Sequence, residues 1–184
     1  MNKNLSKQYS DFLDRDEDYQ DALKIAKLNS KGKIWLIGGF VFRNLSNIIY
    51  SPNKQDSDID ILISDSPKEF KTMRSWKINK NRYGNPKFVK SGKTIDLIPL
   101  KTVSPIKRLG LKPTIYNYLK HVPFNIQSIA FDISKNKLVG NDGMVSLMSK
   151  KIFVKDKDQA KIYLNKKGLS AKEWISKKKR ELNF

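Results

Sequence analysis

The sequence predicts an α+β protein: a small mixed β-sheet flanked by helices, followed by a short C-terminal helical segment. Three observations predict it. Strand-like and helix-like periods alternate along the chain instead of segregating into blocks, as expected where helices pack on a mixed sheet. Ser57 to Ile63 has period two, with Ile59, Ile61 and Ile63 on one face and Asp58, Asp60 and Leu62 on the other. Beyond Asp156 only helical patterns remain, interrupted at Gly168.

The elements follow in order. Asp16 to Ser30 reads as a helix, with Asp16, Glu17 and Asp18 at the end where the helix dipole favours carboxylates. Its apolar stripe is Tyr19, Ala22, Leu23, Ile25, Ala26 and Leu28. A Gly-containing turn precedes a short strand, Lys33 to Ile37, and Gly38-Gly39 leads into a helix from Phe40 to about Tyr50. Ser51 to Asp56, with Pro52, reads as a loop, and Ser57 to Ile63 as a strand. Ser66-Pro67 opens a short helix through Met73, with Asp65 as its capping residue. Lys77 to Lys93 reads as turns and hairpin strands, Thr94 to Leu100 as a strand, and Ser104 to Pro113 as a basic loop. Thr114 to Lys120 is a helix, Asn125 to Ser134 a strand, Lys135 to Lys137 a turn, and Asp142 to Ser149 a helix. Two last helices run from Asp156 to Lys167 and from Ser170 to Arg180.

A chain of 184 residues with 39% hydrophobic residues can bury a real core. It has no cysteine, so a metal would have to sit on oxygen or on the single histidine, His121. No apolar stretch approaches a membrane span, and the N-terminus lacks the apolar run of a signal peptide, so the expected location is cytoplasmic, with no membrane partner. Thirty-seven Lys and Arg against 18 Asp and Glu give a net charge of +19, which points to a polyphosphate partner. The Lys- and Asn-rich composition as a whole is the competing explanation.

Against that basic background the acids at three positions stand out. Asp58 and Asp60 are two apart on a strand and so aim to the same side. Two adjacent carboxylates repel each other unless a cation lies between them, and hard oxygen ligands suit Mg²⁺. Asp96, on the strand Thr94 to Leu100, would complete a site for two metal ions roughly 3.5–4 Å apart. Gly38-Gly39, where a strand turns into a helix, lets backbone N–H groups approach phosphates closely, and Arg43 follows one turn later.

Leu36-Ile-Gly-Gly-Phe-Val-Phe-Arg-Asn-Leu45 followed by Asp58-Ile-Asp60 resembles the nucleotidyltransferase superfamily of DNA polymerase beta. More narrowly it is similar to the head of class II CCA-adding enzymes and bacterial poly(A) polymerases, whose pattern is G-G-x-V-R-D-x-L and then D-x-D. Lys93-Thr-Ile-Asp-Leu-Ile98, Phe124 to Asp132 and Leu138 to Ile152 resemble later segments of that head, and Asp158-Gln-Ala-Lys161 stands where the family's neck reads the base. The resemblance spans roughly Ile34 to Gly168. It implies a palm-like head over 1–153 and a helical neck with a basic tail over 154–184. It implies two Mg²⁺ ions, with Mn²⁺ as a substitute, held by Asp58, Asp60 and Asp96, and a nucleotide held by Gly38, Gly39, Arg43, Gln127, Asp158 and Lys161. The chain departs from the pattern in four places. Phe42 displaces Arg43 by one position, His121-Val122-Pro123 replaces an R-R-D triplet, Gln127 replaces Asn, and Lys161 replaces an Arg whose planar fork an ammonium does not copy.

The expectation is therefore transfer of a nucleoside monophosphate from an NTP, ATP or CTP, to the 3′ end of an RNA such as tRNA, with release of pyrophosphate. The alternatives are nucleotidylation of a protein or small molecule, and a non-catalytic basic RNA-binding module. The family's tRNA-gripping helical body is not present in the sequence, so a second copy of the chain or a separate RNA-binding subunit is expected to supply it. Of the remaining residues, His121 is expected in a surface or packing role, Trp35 in the core, Asp56 in a solvated loop, and Tyr83 as a residue able to stack on a base.

Overall fold

The chain opens with two helices. The computed structural model describes residues 3–50 and 58–184. Helix α2 (Glu17–Asn29) starts where expected, its Asp16 cap accepting the Tyr19 N–H at 2.9 Å. Helix α1 (Lys3–Arg15) precedes it and was not anticipated, although Leu5, Tyr9 and Leu13 recur every fourth residue and all three are buried. Strand β1 (Ile34–Ile37) then runs directly into α3 (Gly38–Tyr50). The remaining strands are β2 (Ile59–Ile63), β3 (Lys77–Lys80), β4 (Pro86–Lys90), β5 (Lys93–Pro99), β6 (Ala130–Asp132) and β7 (Lys137–Val139). The remaining helices are α4 (Ser104–Arg108), α5 (Ile115–Lys120), α6 (Asn141–Ser149), α7 (Lys157–Asn165) and α8 (Ala171–Leu182).

The strands form one seven-stranded mixed sheet in the order β3-β4-β5-β2-β1-β6-β7. Among the described residues only the central β2–β5 pair is parallel. The alternation read in the sequence decides what each face carries. Ile59, Ile61 and Ile63, with Leu36, Ile95 and Leu97, enter the large core shared with α1, α2, α3, α6, α7 and α8. Leu62 enters a smaller cluster on the opposite face with Trp35, Ile37, Leu100 and Leu119. Asp60 and Asp96, one residue out of phase with the isoleucines, therefore emerge on the face with the smaller cluster, where the sheet leaves space. Trp35 is buried as expected, its indole N–H donating to Asp132 Oδ2 at 3.2 Å.

Three expectations fail. Residues 66–73 form no helix, and Asp65 caps none. The buried Asn29 side chain bonds both sides of Lys71, donating to its carbonyl at 2.8 Å and accepting its N–H at 2.6 Å, which ties that backbone into an irregular segment. Asp65 instead accepts from Ser30 Oγ and the Lys31 N–H. The basic loop 104–113 begins as α4, with Pro105 in the first turn, where its missing N–H is harmless. The strand expected over 125–134 shrinks to β6, and Asn125 to Gln127 form a single 3-10 turn. The Asn125 amide donates to the Lys151 carbonyl and accepts the Phe153 N–H, both at 2.9 Å, pinning that turn to the segment after α6. The loop expected over 51–56, with Asp56, lies outside the described residues.

Candidate active site

β2 and β5 run parallel in a register that puts Asp60 opposite Asp96. Neighbouring strands lie about 4.8 Å apart, so the two carboxylates leave the same face side by side. Asp58 stands one residue before β2 and lines the same cavity. Its side chain is 62% exposed, accepts a hydrogen bond from Thr94 Oγ1, and lies 3.7 Å from Lys87 Nζ.

This crowding is visible in the acidity of the site. The protein packed around Asp60, and then the charges of Asp96 and Asp58, push its carboxyl up to about 7, against smaller opposing effects of Arg43 and Lys87. Burial also raises Asp96, which Asn81, Lys87 and Arg82 only partly offset. Asp96 Oδ1 is buried without a hydrogen-bond partner. Hard oxygen donors, an orphaned carboxylate oxygen and an anion disfavoured by its neighbours together fit a divalent cation such as Mg²⁺. Among the described residues no three acidic, His or Cys side chains already stand together as a metal-binding group.

The glycine turn reaches this centre by close approach. Gly38 has φ +75°, and a Cβ there would overlap Asp60 Oδ2, so the turn lies against the acid that only a residue without a side chain could approach. A Cβ at Gly39 would overlap the Arg43 guanidinium, which folds back over the start of its own helix. Arg43 is 17% exposed, lies 3.6 Å from Glu181 of α8, and sits against the Phe42 ring. The extra residue Phe42 thus does not carry Arg43 away from the glycines.

Around these groups is a cavity of about 1190 Å³. That is slightly larger than the range of about 300–1,000 Å³ usual for small-molecule sites. Lys80, Arg82 and Lys87 come to it from the β3–β4 hairpin, Lys107 and Arg108 from α4, and Lys166, Lys167 and Lys178 from the end of the chain. The tip of the hairpin touches the end of α7: Arg82 donates to the Lys166 carbonyl at 3.2 Å, and Lys166 Nζ lies 4.1 Å from the Tyr83 ring centre. The cavity thus combines three aspartates with a largely cationic lining.

No family model matches the sequence, and no curated protein matches it. Solved structures with a similar chain path do exist. A tRNA-processing enzyme with CTP is 12% identical, with a TM-score of 0.45 over 69% of this chain and 34% of that one. A tRNA nucleotidyltransferase complexed with a primer tRNA and an incoming ATP analog is 12% identical, with a TM-score of 0.43 over 64% of this chain and 34% of that one. An apo form of a tRNA-processing enzyme is 13% identical, with a TM-score of 0.44 over 66% of this chain and 32% of that one. The chain spans about a third of the length of each of these structures.

Gly38, Gly39, Arg43, Asp58, Asp60, Asp96 and Gln127 all line the one cavity. Gln127 also closes the turn before it, its Oε1 accepting the Phe124 N–H at 3.2 Å. Asp158 and Lys161 do not line the cavity. The side chain of Asp158 is 76% exposed and pairs with Arg108 at 3.7 Å. The helical phase explains the miss: the face of α7 turned to the cavity carries Gln159, Ile162, Tyr163 and Lys166, at helical spacing. With its amide oxygen toward Arg108, Gln159 accepts from Nη2 at 2.8 Å and Nε at 3.0 Å. His121 also lines the cavity, and its Nδ1 lies 3.0 Å from Asp156 Oδ2, the cap of α7. The helix itself was legible in the sequence; its cavity-facing side and the Arg108–Gln159 pair, which joins two distant elements, were not.

Proposed function

We propose that this chain is a metal-dependent nucleotidyltransferase that transfers a nucleoside monophosphate from an NTP, ATP or CTP, to the 3′ end of an RNA. The observation that carries the reading is that Gly38-Gly39, Asp58, Asp60 and Asp96 line one cation-walled cavity, with Asp60 and Asp96 side by side on adjacent strands. A surface that only bound RNA would gain nothing from acids placed there, which favours catalysis over a plain binding module.

Mg²⁺ held by Asp58, Asp60 and Asp96 would supply Lewis acidity, making the acceptor hydroxyl more acidic and offsetting charge on the departing pyrophosphate. The chain's own groups do the rest. The Gly38-Gly39 turn presents backbone at the start of α3, where the positive helix end favours the triphosphate. Arg43 adds a guanidinium beside it. The acceptor 3′ oxygen attacks the α-phosphorus; the new O–P bond forms as the bond from that phosphorus to the bridging oxygen of the β-phosphate breaks. Asp96, whose Oδ1 has no partner and whose affinity for a proton is raised, is suited to take the hydroxyl proton. The cationic walls give the RNA backbone a place to lie.

Incubation with each α-labelled NTP, Mg²⁺ and a tRNA or generic RNA tests this. Label is expected in the RNA with wild type and not with Asp58→Ala. If RNA stays unlabelled and the two proteins behave alike, the reading fails; label in a protein acceptor would move the activity to another substrate class.

A further inference from the structure

The last helix does more than cover the sheet. Trp174 anchors it, stacked on Phe124 with ring centres 3.9 Å apart and planes 12° from parallel. One turn on, Lys178 lines the cavity with its side chain only 12% exposed. Three residues further, Glu181 Oε2 accepts from Lys178 and lies 3.6 Å from Arg43 Nη1. One carboxylate oxygen thus serves two cations that are far apart in the sequence. Arg43 Nε is buried with no partner, so the guanidinium has a donor left to satisfy. Burial holds the Lys178 ammonium below its usual range despite Glu181, with Arg43 and Lys177 acting in the same direction. Among the described residues Glu181 is the one carboxylate paired with Arg43 and Lys178, and an anion carrying more than one charge would suit the two cations together.

We propose that Arg43 and Lys178 form a polyphosphate-binding pair for the incoming nucleotide, and that Glu181 holds their places until the phosphates arrive. The proposal rests on the nucleotidyltransferase reading. It adds α8 to the substrate-binding machinery and makes Lys178 a binding residue. It also gives Glu181 a defined effect: as a resident anion it competes with the phosphates and weakens their binding.

Calorimetric titration with inorganic tripolyphosphate tests the pair without requiring any transfer chemistry. Lys178→Met is expected to weaken binding about tenfold, Lys178→Arg to retain most of it, and Glu181→Gln to tighten it several-fold. Opposite signs at 178 and 181 distinguish the pair from a merely structural helix, for which both substitutions would loosen α8 and weaken binding together. Thermal melts check that each variant folds, and Lys178→Arg and Glu181→Gln still decide the matter if Lys178→Met does not. Equal affinities across the set, or weaker binding by Glu181→Gln, would overturn the pair. If the predicted order of affinities holds while no NTP label is ever transferred, the pair stands and the nucleotidyltransferase reading falls; label transfer with equal affinities does the reverse.

Discussion

Asp60 concentrates the electrostatic cost of the site. Its carboxyl titrates near 7 in the folded chain against an ordinary value of 3.8, so between these the folded state keeps a proton that the unfolded state has lost. Stability from this group is complete below the lower value and falls as pH rises toward the upper one. Because the carboxyl is partly open to the cavity, the loss is on the order of a few kcal/mol at most. Thermal melts in EDTA should therefore show Asp60→Asn gaining on wild type between about pH 4 and 7, with Mg²⁺ narrowing the gap. Parallel pH curves for the two proteins would mean that burial and the neighbouring acids do not raise Asp60 as described. Gly38 belongs to the same scale. Its positive φ and its contact with Asp60 both forbid a Cβ, so Gly38→Ala should cost about 1–2 kcal/mol and displace the carboxylate. Lost transfer activity with a modest fall in melting temperature is the expected signature. At this scale the sequence was most informative. The acids at 58, 60 and 96 and the glycines at 38 and 39 were legible because strand period fixes side-chain direction and because the glycine turn and the acids, each weak alone, follow one another in chain order.

Among the elements, α7 and α8 bring Gln159, Ile162, Tyr163, Trp174 and Lys178 to the cavity. They are held by aromatic packing: Trp174 is 2% exposed, stacks on Phe124 and meets the Tyr163 ring edge-on at 6.0 Å. Trp174→Ala should cost about 3–5 kcal/mol in denaturant unfolding, since so large a side chain leaves a void that cannot close fully. A cost near zero would show that α8 is not tied to the sheet in solution. The helices themselves were readable from their caps, Asp156 and Ser170, both of which accept the expected backbone N–H. The side of α7 that faces the cavity was not, because motif spacing pointed to Asp158 and Lys161 while tertiary packing selected Gln159 and Tyr163. Two of the missed segments, 66–73 and 125–134, have a common cause. Asn29 and Asn125 each bind backbone far along the chain, and such side-chain anchors override local propensity without leaving a periodic trace.

For the molecule as a whole, the mixed sheet was legible because alternating residues had to divide between two faces. The strand order was not, since nothing local says that β5 lies beside β2 while β1 takes its other edge. The net charge of +19 becomes meaningful only with the fold, which brings Lys and Arg from the hairpin, from α4 and from the chain's end to one cavity. If RNA lies there, binding should fall steeply with salt. With about four phosphates neutralised on a single strand, raising salt from about 50 to 200 mM should weaken affinity by about 50-fold. A flat salt response in fluorescence anisotropy would remove the electrostatic reason for an RNA substrate. None of this has catalytic meaning unless the three aspartates take up a divalent ion. Mn²⁺ binding followed by electron paramagnetic resonance measures that directly. The expected result is saturable binding to wild type near pH 8 that is lost in Asp60→Ala and in Asp96→Ala; no binding, or identical binding by all three folded proteins, would contradict the account.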